Sequence, residues 1–224
     1  MAAFHQPKSS NELVAALRRR GIGDERVLAA MARVPRDRFV PADLVEEAWW
    51  DVALPLHEGQ TISQPFIVAY MTAALRVEPH HSVLEIGTGS GYQAAVLSHL
   101  SRQVHTIERY ASLHEEAIAR FAALGITNIT ARVGDGREGW PEAAPFDRIM
   151  VTAAARELPR QLMDQLAPGG IMVLPLGARS EEQYLYRLRK TGEPQEAGTG
   201  SGADDEGGGF RQERLLPVRF VPLL

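Results

Sequence analysis

The sequence predicts an α/β protein with a mostly parallel central sheet, flanking helices and a helical extension at the N-terminus. Three observations predict it. From Ser82 onward, short apolar runs alternate with helical segments, the pattern of a parallel sheet covered on both faces. Within that region, Val83-Leu84-Glu85-Ile86-Gly87-Thr88-Gly89-Ser90-Gly91-Tyr92 reads as a strand, an acidic residue, a glycine-rich turn and a helix start. Before Ser82 the chain reads as short helices that precede the alternating region and pack on it.

In chain order, Ser9 and Glu12 form a capping box, Leu13, Val14 and Leu17 give the first helix an apolar face, and Gly21 stops it. A second helix is expected over 24–33, with Val27, Leu28 and Met31 inward and Pro35 ending it. A third is expected over 43–50. Strands are expected at 82–86, 103–108, 129–133, 146–151 and 171–176, with helices at 92–100, 112–124 and 159–166 between them. Pro168-Gly169-Gly170 reads as a helix stop before the fifth strand. Residues 183–189 alternate as a further strand, and 214–221 can return beside it antiparallel. Between these, 191–209 is rich in Gly, Glu, Asp and Ser with almost nothing apolar, so a flexible surface loop or a substrate-selecting flap is expected there. The expected organisation is one domain over 1–224, with the extension at 1–60 and the α/β core at 61–224.

Composition narrows the function. The 224 residues suffice for one sizeable core, and 45% apolar content is ordinary for a globular protein. A formal charge of -4 gives no general basic surface for nucleic acid or an anionic membrane. There is no cysteine, which excludes disulfides, thiolate metal sites and cysteine nucleophiles and fits a reducing compartment. Residues 1–10 lack the apolar core of a signal peptide, and no run is long enough to span a bilayer. A cytoplasmic, soluble protein is expected, and a monomer, since no extensive apolar stripe is left for a partner.

The glycine turn suits close approach of a small ligand, and the N–H groups opening the next helix suit a carboxylate or phosphate. A dinucleotide fingerprint would place its third glycine at position 92, where this chain has Tyr92; its third glycine is Gly91. Glu108 ends the next strand about 20 residues later, where a carboxylate can accept from a ribose diol or stand as a solvated strand end. Gly134-Asp135-Gly136 ends the third strand, so Asp135 either accepts from an adenine amino group or belongs to a plain turn. Three such features at successive strand ends favour an adenosyl ligand. With no Lys or Arg cluster for a pyrophosphate and Glu85 at the turn, the cationic S-adenosylmethionine fits better than NAD.

On these residues the chain resembles the protein-L-isoaspartate O-methyltransferase family over nearly its whole length. The resemblance is carried by Arg33-Val34-Pro35-Arg36-Asp37-Arg38-Phe39-Val40-Pro41, by Gln60-Thr61-Ile62-Ser63-Gln64-Pro65, and by the glycine and Gly134-Asp135-Gly136 motifs. Ala167-Pro168-Gly169-Gly170, Leu174-Pro175-Leu176-Gly177 and the tail Arg219-Phe220-Val221-Pro222-Leu223 fit as well. The glycine motif is generic; the Thr-Ile-Ser-Gln-Pro loop with the Phe-Val-Pro-Leu tail is far more specific. The resemblance implies a class I S-adenosylmethionine-dependent methyltransferase (Rossmann-like) fold. It also implies methyl transfer to the α-carboxylate of L-isoaspartyl residues in proteins and peptides, with repair through a succinimide and S-adenosylhomocysteine as product. It makes Ser63 the active-site serine. Thr61 and Ile62 would line the same loop, and Glu85, Gly87, Thr88, Gly89, Gly91, Glu108, Gly134, Asp135 and Gly136 would hold the cofactor. The long 191–209 stretch departs from the family pattern and bears on substrate preference rather than chemistry.

A carboxylate acceptor, with an ordinary pKa of about 4, is already ionised at neutral pH, so no strong general base is required. Ser63, without a neighbouring base, is expected to hydrogen-bond the acceptor rather than attack. His57 reads as a structural or solvated group, Trp49 and Trp50 read as core or helix-packing residues rather than a peptide platform, and the small Thr152-Ala153-Ala154 leaves room for a peptide beside the donor. Three other readings remain: an O-methyltransferase acting on an aspartyl carboxylate of a biosynthetic peptide, an NAD-dependent oxidoreductase, and a non-catalytic adenosyl-binding protein.

Overall fold

The computed structural model describes residues 6–178, 182–191 and 209–223. Helix α1 (Ser10–Arg19) opens on Ser9, whose Oγ accepts from the Glu12 N–H at 3.3 Å, while Glu12 Oε2 accepts from the Lys8 N–H at 3.0 Å. It closes at Gly21, φ +96°. Helix α2 (Glu25–Arg33) is capped by the Asp24 carboxylate, which accepts from the N–H groups of Arg26 and Val27. Leu13, Leu17, Val27, Leu28 and Met31 are buried between these helices and the rest of the chain.

The third expected helix is instead a pair of 3-10 turns, Arg36–Phe39 and Ala42–Glu47. Pro35 and Pro41 lack N–H groups and break an α-helical ladder here, and Leu44 N–H bonds the Pro41 carbonyl three residues back. Next comes a small antiparallel hairpin of β1 (Leu54–Pro55) and β2 (Thr61–Ile62), which joins the two sides of the expected boundary at residue 60. Helix α3 (Pro65–Leu75) was not legible in the sequence. It is apolar on nearly every side and buried, so it has no polar face to create a helical period.

The remaining elements are β3 (Ser82–Ile86), α4 (Tyr92–Ser98), β4 (Gln103–Glu108), α5 (Ala111–Ala123), β5 (Ile129–Val133), β6 (Phe146–Val151), α6 (Arg160–Asp164), β7 (Leu166–Leu176), β8 (Gln183–Lys190) and β9 (Phe210–Val218). Strands β3 to β6 have the bounds the sequence predicts. The seven strands lie in the order β5-β4-β3-β6-β7-β8-β9, parallel from β5 to β7 and antiparallel for β8 and β9. Alternate residues bury opposite faces: Val83, Val104, Met150 and Val173 pack toward α3 and α4, and Leu84, Ile149, Met172 and Leu174 toward α6.

Pro168-Gly169-Gly170 does not precede a strand but lies inside β7. Phe146 pairs with Leu166, whereas Arg148, two residues on, pairs with Ile171, so the Pro-Gly-Gly stretch is looped out as an irregularity. The preceding helix is correspondingly short. The loop expected at 191–209 lies outside the described residues except for its ends, where Thr191 N–H donates to the Gly209 carbonyl at 2.7 Å. Among the described residues no helix is long and apolar enough to cross a membrane. Strand β3 has β4 on one side and β6 on the other, so the chain reverses direction across the sheet at β3 and leaves a crevice above the carboxyl ends.

Candidate active site

That crevice holds a cavity of about 400 Å³, a size suited to a nucleoside-type ligand. Its floor is the turn between β3 and α4. Gly87, Gly89 and Gly91 all have positive φ (+95°, +52° and +92°). A Cβ at Gly87 would stand 2.4 Å from Thr152 Oγ1, and one at Gly91 2.8 Å from the Phe121 ring. The turn therefore needs glycine both for its backbone path and for its contacts. It is tied down by the Gly87 N–H and the Gly89 N–H, which donate to the Ile107 carbonyl at 2.9 Å and to Glu108 Oε2 at 2.7 Å.

Of the residues singled out in the sequence, Thr61, Ile62, Ser63, Gly87, Thr88, Gly89, Glu108 and Gly136 line the cavity. Glu85, Gly91, Gly134 and Asp135 do not. Gly91 starts α4 and packs on α5. Gly134 donates its N–H to the Glu108 carbonyl at 2.9 Å. Asp135 turns toward Arg137: its Oδ1 accepts from the Arg137 N–H at 2.9 Å and from Nε at 3.0 Å, and its Oδ2 accepts from Nη2 at 2.5 Å. Those bonds hold the Asp135 carboxyl below its usual range. The next residue, Gly136, matters more for shape, since a Cβ there would meet Ile86 Cγ2 at 2.3 Å.

The two glutamates beneath the turn differ in state. Glu108 is 5% exposed, not a solvated strand end, and its Oε1 accepts from the Tyr110 N–H at 3.0 Å. Glu85 is fully buried behind the turn. Thr106 Oγ1 donates to Glu85 Oε2 at 2.6 Å and takes a 2.6 Å bond from Thr88 Oγ1, while Glu85 Oε1 has no partner among the described residues. Burial, partly offset by the Thr106 bond, pushes the Glu85 carboxyl up to about 8. Burial thus favours the neutral form of Glu85, and the carboxylate that lines the cavity from the sheet is Glu108.

The opposite wall comes from the β1–β2 hairpin and the C-terminal segment. Thr61 to Gln64 leave β2 along the cavity, and Asp51 lies beside them with Oδ1 accepting from the Phe66 N–H at 2.8 Å and Oδ2 from Arg20. Arg219 to Leu223 cross above Thr152 and Ala153. Ala154 N–H donates to the Val221 carbonyl at 2.7 Å, Leu223 N–H to the Ala154 carbonyl at 2.8 Å, and Phe220 N–H to Gln183 Oε1 at 2.6 Å. Sequence periodicity gives no sign of this strap; only the family tail pointed to its residues, without a place. Arg109 and Arg219, also on the cavity wall, have no ion-pair partner among the described residues. His57 stands outside, its Nε2 2.9 Å from Glu116 Oε1 on α5. Trp49 and Trp50 are half-buried and do not line the cavity.

Sheet order, glycine turn and strand-end acid together define a class I S-adenosylmethionine-dependent methyltransferase fold. The family model for protein-L-isoaspartate(D-aspartate) O-methyltransferase matches residues 8–224, and the chain belongs to that family. It is 54% identical over 216 residues to a protein-L-isoaspartate O-methyltransferase of Parvibaculum lavamentivorans, covering 95% of this chain and 90% of that one. Against the same-named protein of Rhodospirillum rubrum it is 50% identical over 219 residues, covering 97% and 94%. A solved Plasmodium falciparum structure, a putative protein-L-isoaspartate O-methyltransferase in complex with S-adenosyl-L-homocysteine, superposes with TM-score 0.79 at 25% identity over 97% of this chain and 99% of that one. Another solved protein-L-isoaspartate O-methyltransferase gives TM-score 0.79 at 27% identity over 95% of this chain, which spans 65% of that longer protein.

Proposed function

We propose that this cavity brings a protein-bound L-isoaspartyl carboxylate to a methyl donor, with Ser63 orienting the acceptor and Glu108 holding the donor's ribose. The reaction is S-adenosylmethionine-dependent methylation of L-isoaspartyl residues in damaged proteins, the opening step of their repair. The single observation that carries this reading is that Ser63 on the hairpin wall and Glu108 with the glycine turn on the sheet wall line one cavity.

The residues present fit the donor. The glycine turn lines the cavity with no room for a Cβ at Gly87, and Glu108 brings a buried carboxylate to its rim. When bound, S-adenosylmethionine supplies an electrophilic methyl group on a cationic sulfur. Thr88, Gly89 and Glu108 bind from below, Gly136 leaves space on the adenine side, and the hairpin and the C-terminal strap restrict water from above. Ser63 Oγ donates to one acceptor oxygen and turns the other toward the donor. Such orientation is worth roughly 7–11 kcal/mol, enough to dominate a reaction whose nucleophile arrives ionised. The carboxylate beside this loop, Asp51, is already engaged by Arg20 and the Phe66 N–H, which is consistent with this role. The protein is further proposed to act as a cytoplasmic monomer on proteins and peptides rather than on nucleic acid or membranes.

Ser63→Ala is expected to lower kcat on an isoaspartyl peptide by about 10-fold or more, a loss typical of one orienting hydrogen bond, with little change in cofactor affinity. The check is a methyl-transfer assay on matched isoaspartyl and aspartyl peptides, reading base-labile ester; unchanged turnover removes Ser63 from the mechanism, and equal activity on both peptides removes the substrate assignment. Glu108→Ala is expected to weaken S-adenosylhomocysteine binding by about 1.5–3 kcal/mol, the worth of a charge-assisted hydrogen bond. Calorimetry that finds the affinity unaltered refutes the ribose contact.

A further inference from the structure

The segment 33–41 carries part of the family resemblance yet gives no residue to the cavity. Its Arg36 is 0% exposed. The guanidinium donates from Nη1 to the Ala48 carbonyl, and from Nη2 to the Val52 carbonyl at 3.2 Å and the Ser63 carbonyl at 3.1 Å. Its Cζ lies 5.7 Å from the centre of the Tyr92 ring, beside the glycine turn. Burial lowers its pKa to about 10, which leaves it charged at pH 7. No carboxylate pairs with it among the described residues; the nearest in electrostatic effect, Asp51, is engaged by Arg20 and the Phe66 N–H.

A buried cation without a carboxylate partner is costly, and a core built for stability alone would hold an apolar side chain here. The three carbonyls show what the charge does instead. Ala48 and Val52 lie before the β1–β2 hairpin and Ser63 lies just after it, so one planar fork clamps both ends of the hairpin together. Ser63 is held through its own carbonyl, which fixes the main chain that carries its side chain along the cavity. Among the described residues no carboxylate bonds to the charge, so in a low-dielectric wall it acts on whatever anion stands at Ser63.

We propose that Arg36 is the positioning residue of the acceptor side. It fixes Ser63 through the main chain, and it supplies the buried positive charge that makes this place prefer an α-carboxylate over a neutral α-carboxamide. This rests on the reading of Ser63 as the acceptor residue, and it extends that reading to the basis of acceptor selection. Two buried groups of opposite sign then stand on the two sides: Glu108 faces the sulfonium side and Arg36 backs the carboxylate side.

The test uses the full chain saturated with S-adenosylhomocysteine, two matched isoaspartyl peptides (free α-carboxylate and α-carboxamide), and the variants Arg36→Lys and Arg36→Gln. Wild type should bind the carboxylate peptide more tightly than the carboxamide. Arg36→Gln should shrink that preference by about 10-fold or more, as expected for a charge lost from a low-dielectric wall close to the acceptor, with S-adenosylhomocysteine affinity kept within about threefold. Arg36→Lys should keep most of the preference but lower kcat, because a single ammonium cannot span three carbonyls as a planar fork does. A merely structural role predicts something else: both variants lose cofactor and peptide binding in parallel while the preference ratio stays at the wild-type value, and that result overturns the proposal. Should Arg36→Gln fail to fold, Arg36→Lys decides: lower kcat with intact cofactor affinity supports the assignment, and parallel losses or wild-type kcat overturn it. Ser63→Ala, assayed alongside, separates the two ideas. Normal turnover in that variant defeats the Ser63 reading, whereas the carboxylate preference in Arg36→Gln reports on the charge itself.

Discussion

Gly87→Ala is expected to abolish cofactor binding and to remove a large part of the folding stability. Two independent costs meet at this position. The backbone sits at φ +95°, outside the regions open to a residue with a Cβ, and the new methyl would lie 2.4 Å from Thr152 Oγ1. Thr152 cannot easily give way, because its hydroxyl donates to the carbonyls of Ile86 and Gly87, both at 2.9 Å. Backbone strain of about 1–3 kcal/mol and overpacking of about 1–3 kcal/mol sum to a serious fraction of a typical stability of about 5–15 kcal/mol. Gly169→Ala is the control. It has φ +74° but nothing within 4 Å of the added methyl, so only the strain applies and cofactor binding should survive. Urea unfolding and S-adenosylhomocysteine titration of the two variants check the difference; a Gly87→Ala protein with wild-type affinity would show that the turn is not the cradle. Adding Thr152→Ala to Gly87→Ala should recover the steric share only.

The parts of the fold legible in the sequence were those whose physics is local. Strands β3 to β6 are short apolar runs with turn residues at each end, and their bounds were read without error. Ser9 and Gly21 mark helix ends by their own chemistry, and the structure uses each that way, whereas Asp24, expected inside the second helix, caps it instead. What escaped was decided by the surroundings. Helix α3 is buried on nearly all sides, so it lacks the polar face that periodicity needs. The Pro-Gly-Gly stretch looks like a helix stop from either side, but the pairing of Leu166 with Phe146 extends β7 back across it. In the site, the glycine turn and Glu108 were legible because a tight turn and a strand end have fixed spacing. The roles of the strap 219–223 and of Arg36 were not. Each depends on contacts across long stretches of chain, Val221 to Ala154 and Arg36 to Ser63, which no local pattern encodes. Glu85 is expected from the sequence to face the ligand, but it lies buried behind the turn and off the cavity wall, and only three-dimensional burial distinguishes such a carboxyl from one facing the ligand.

That distinction leads to the second large effect, Glu85→Gln. In the folded chain the Glu85 carboxyl titrates at about 8 against an ordinary 4.5, chiefly through burial, with the nearby Glu108 charge adding to it. Below pH 4.5 the group is protonated in both folded and unfolded chains and costs nothing. Above that value the unfolded chain releases the proton and the folded chain keeps it, so stability is lost progressively as pH rises from about 4.5 to 8. At about 1.4 kcal/mol per pH unit the full loss is on the order of several kcal/mol, reduced by whatever relaxation lets water reach the group. Glutamine keeps the shape, can still accept from Thr106 and has no proton to lose. Glu85→Gln should therefore match wild type near pH 4.5 and be more stable by on the order of 2–4 kcal/mol at pH 8, with the difference between the two proteins growing steadily in between. Urea midpoints at pH 5, 6.5 and 8 for the two proteins measure this. Parallel profiles would mean that Glu85 is ionised throughout and shares the donor side with Glu108. Diverging profiles would leave Glu108 as the one sheet-side carboxylate able to meet a sulfonium, and would identify Glu85 as a group whose burial beneath the turn lowers the stability of the free enzyme at neutral pH.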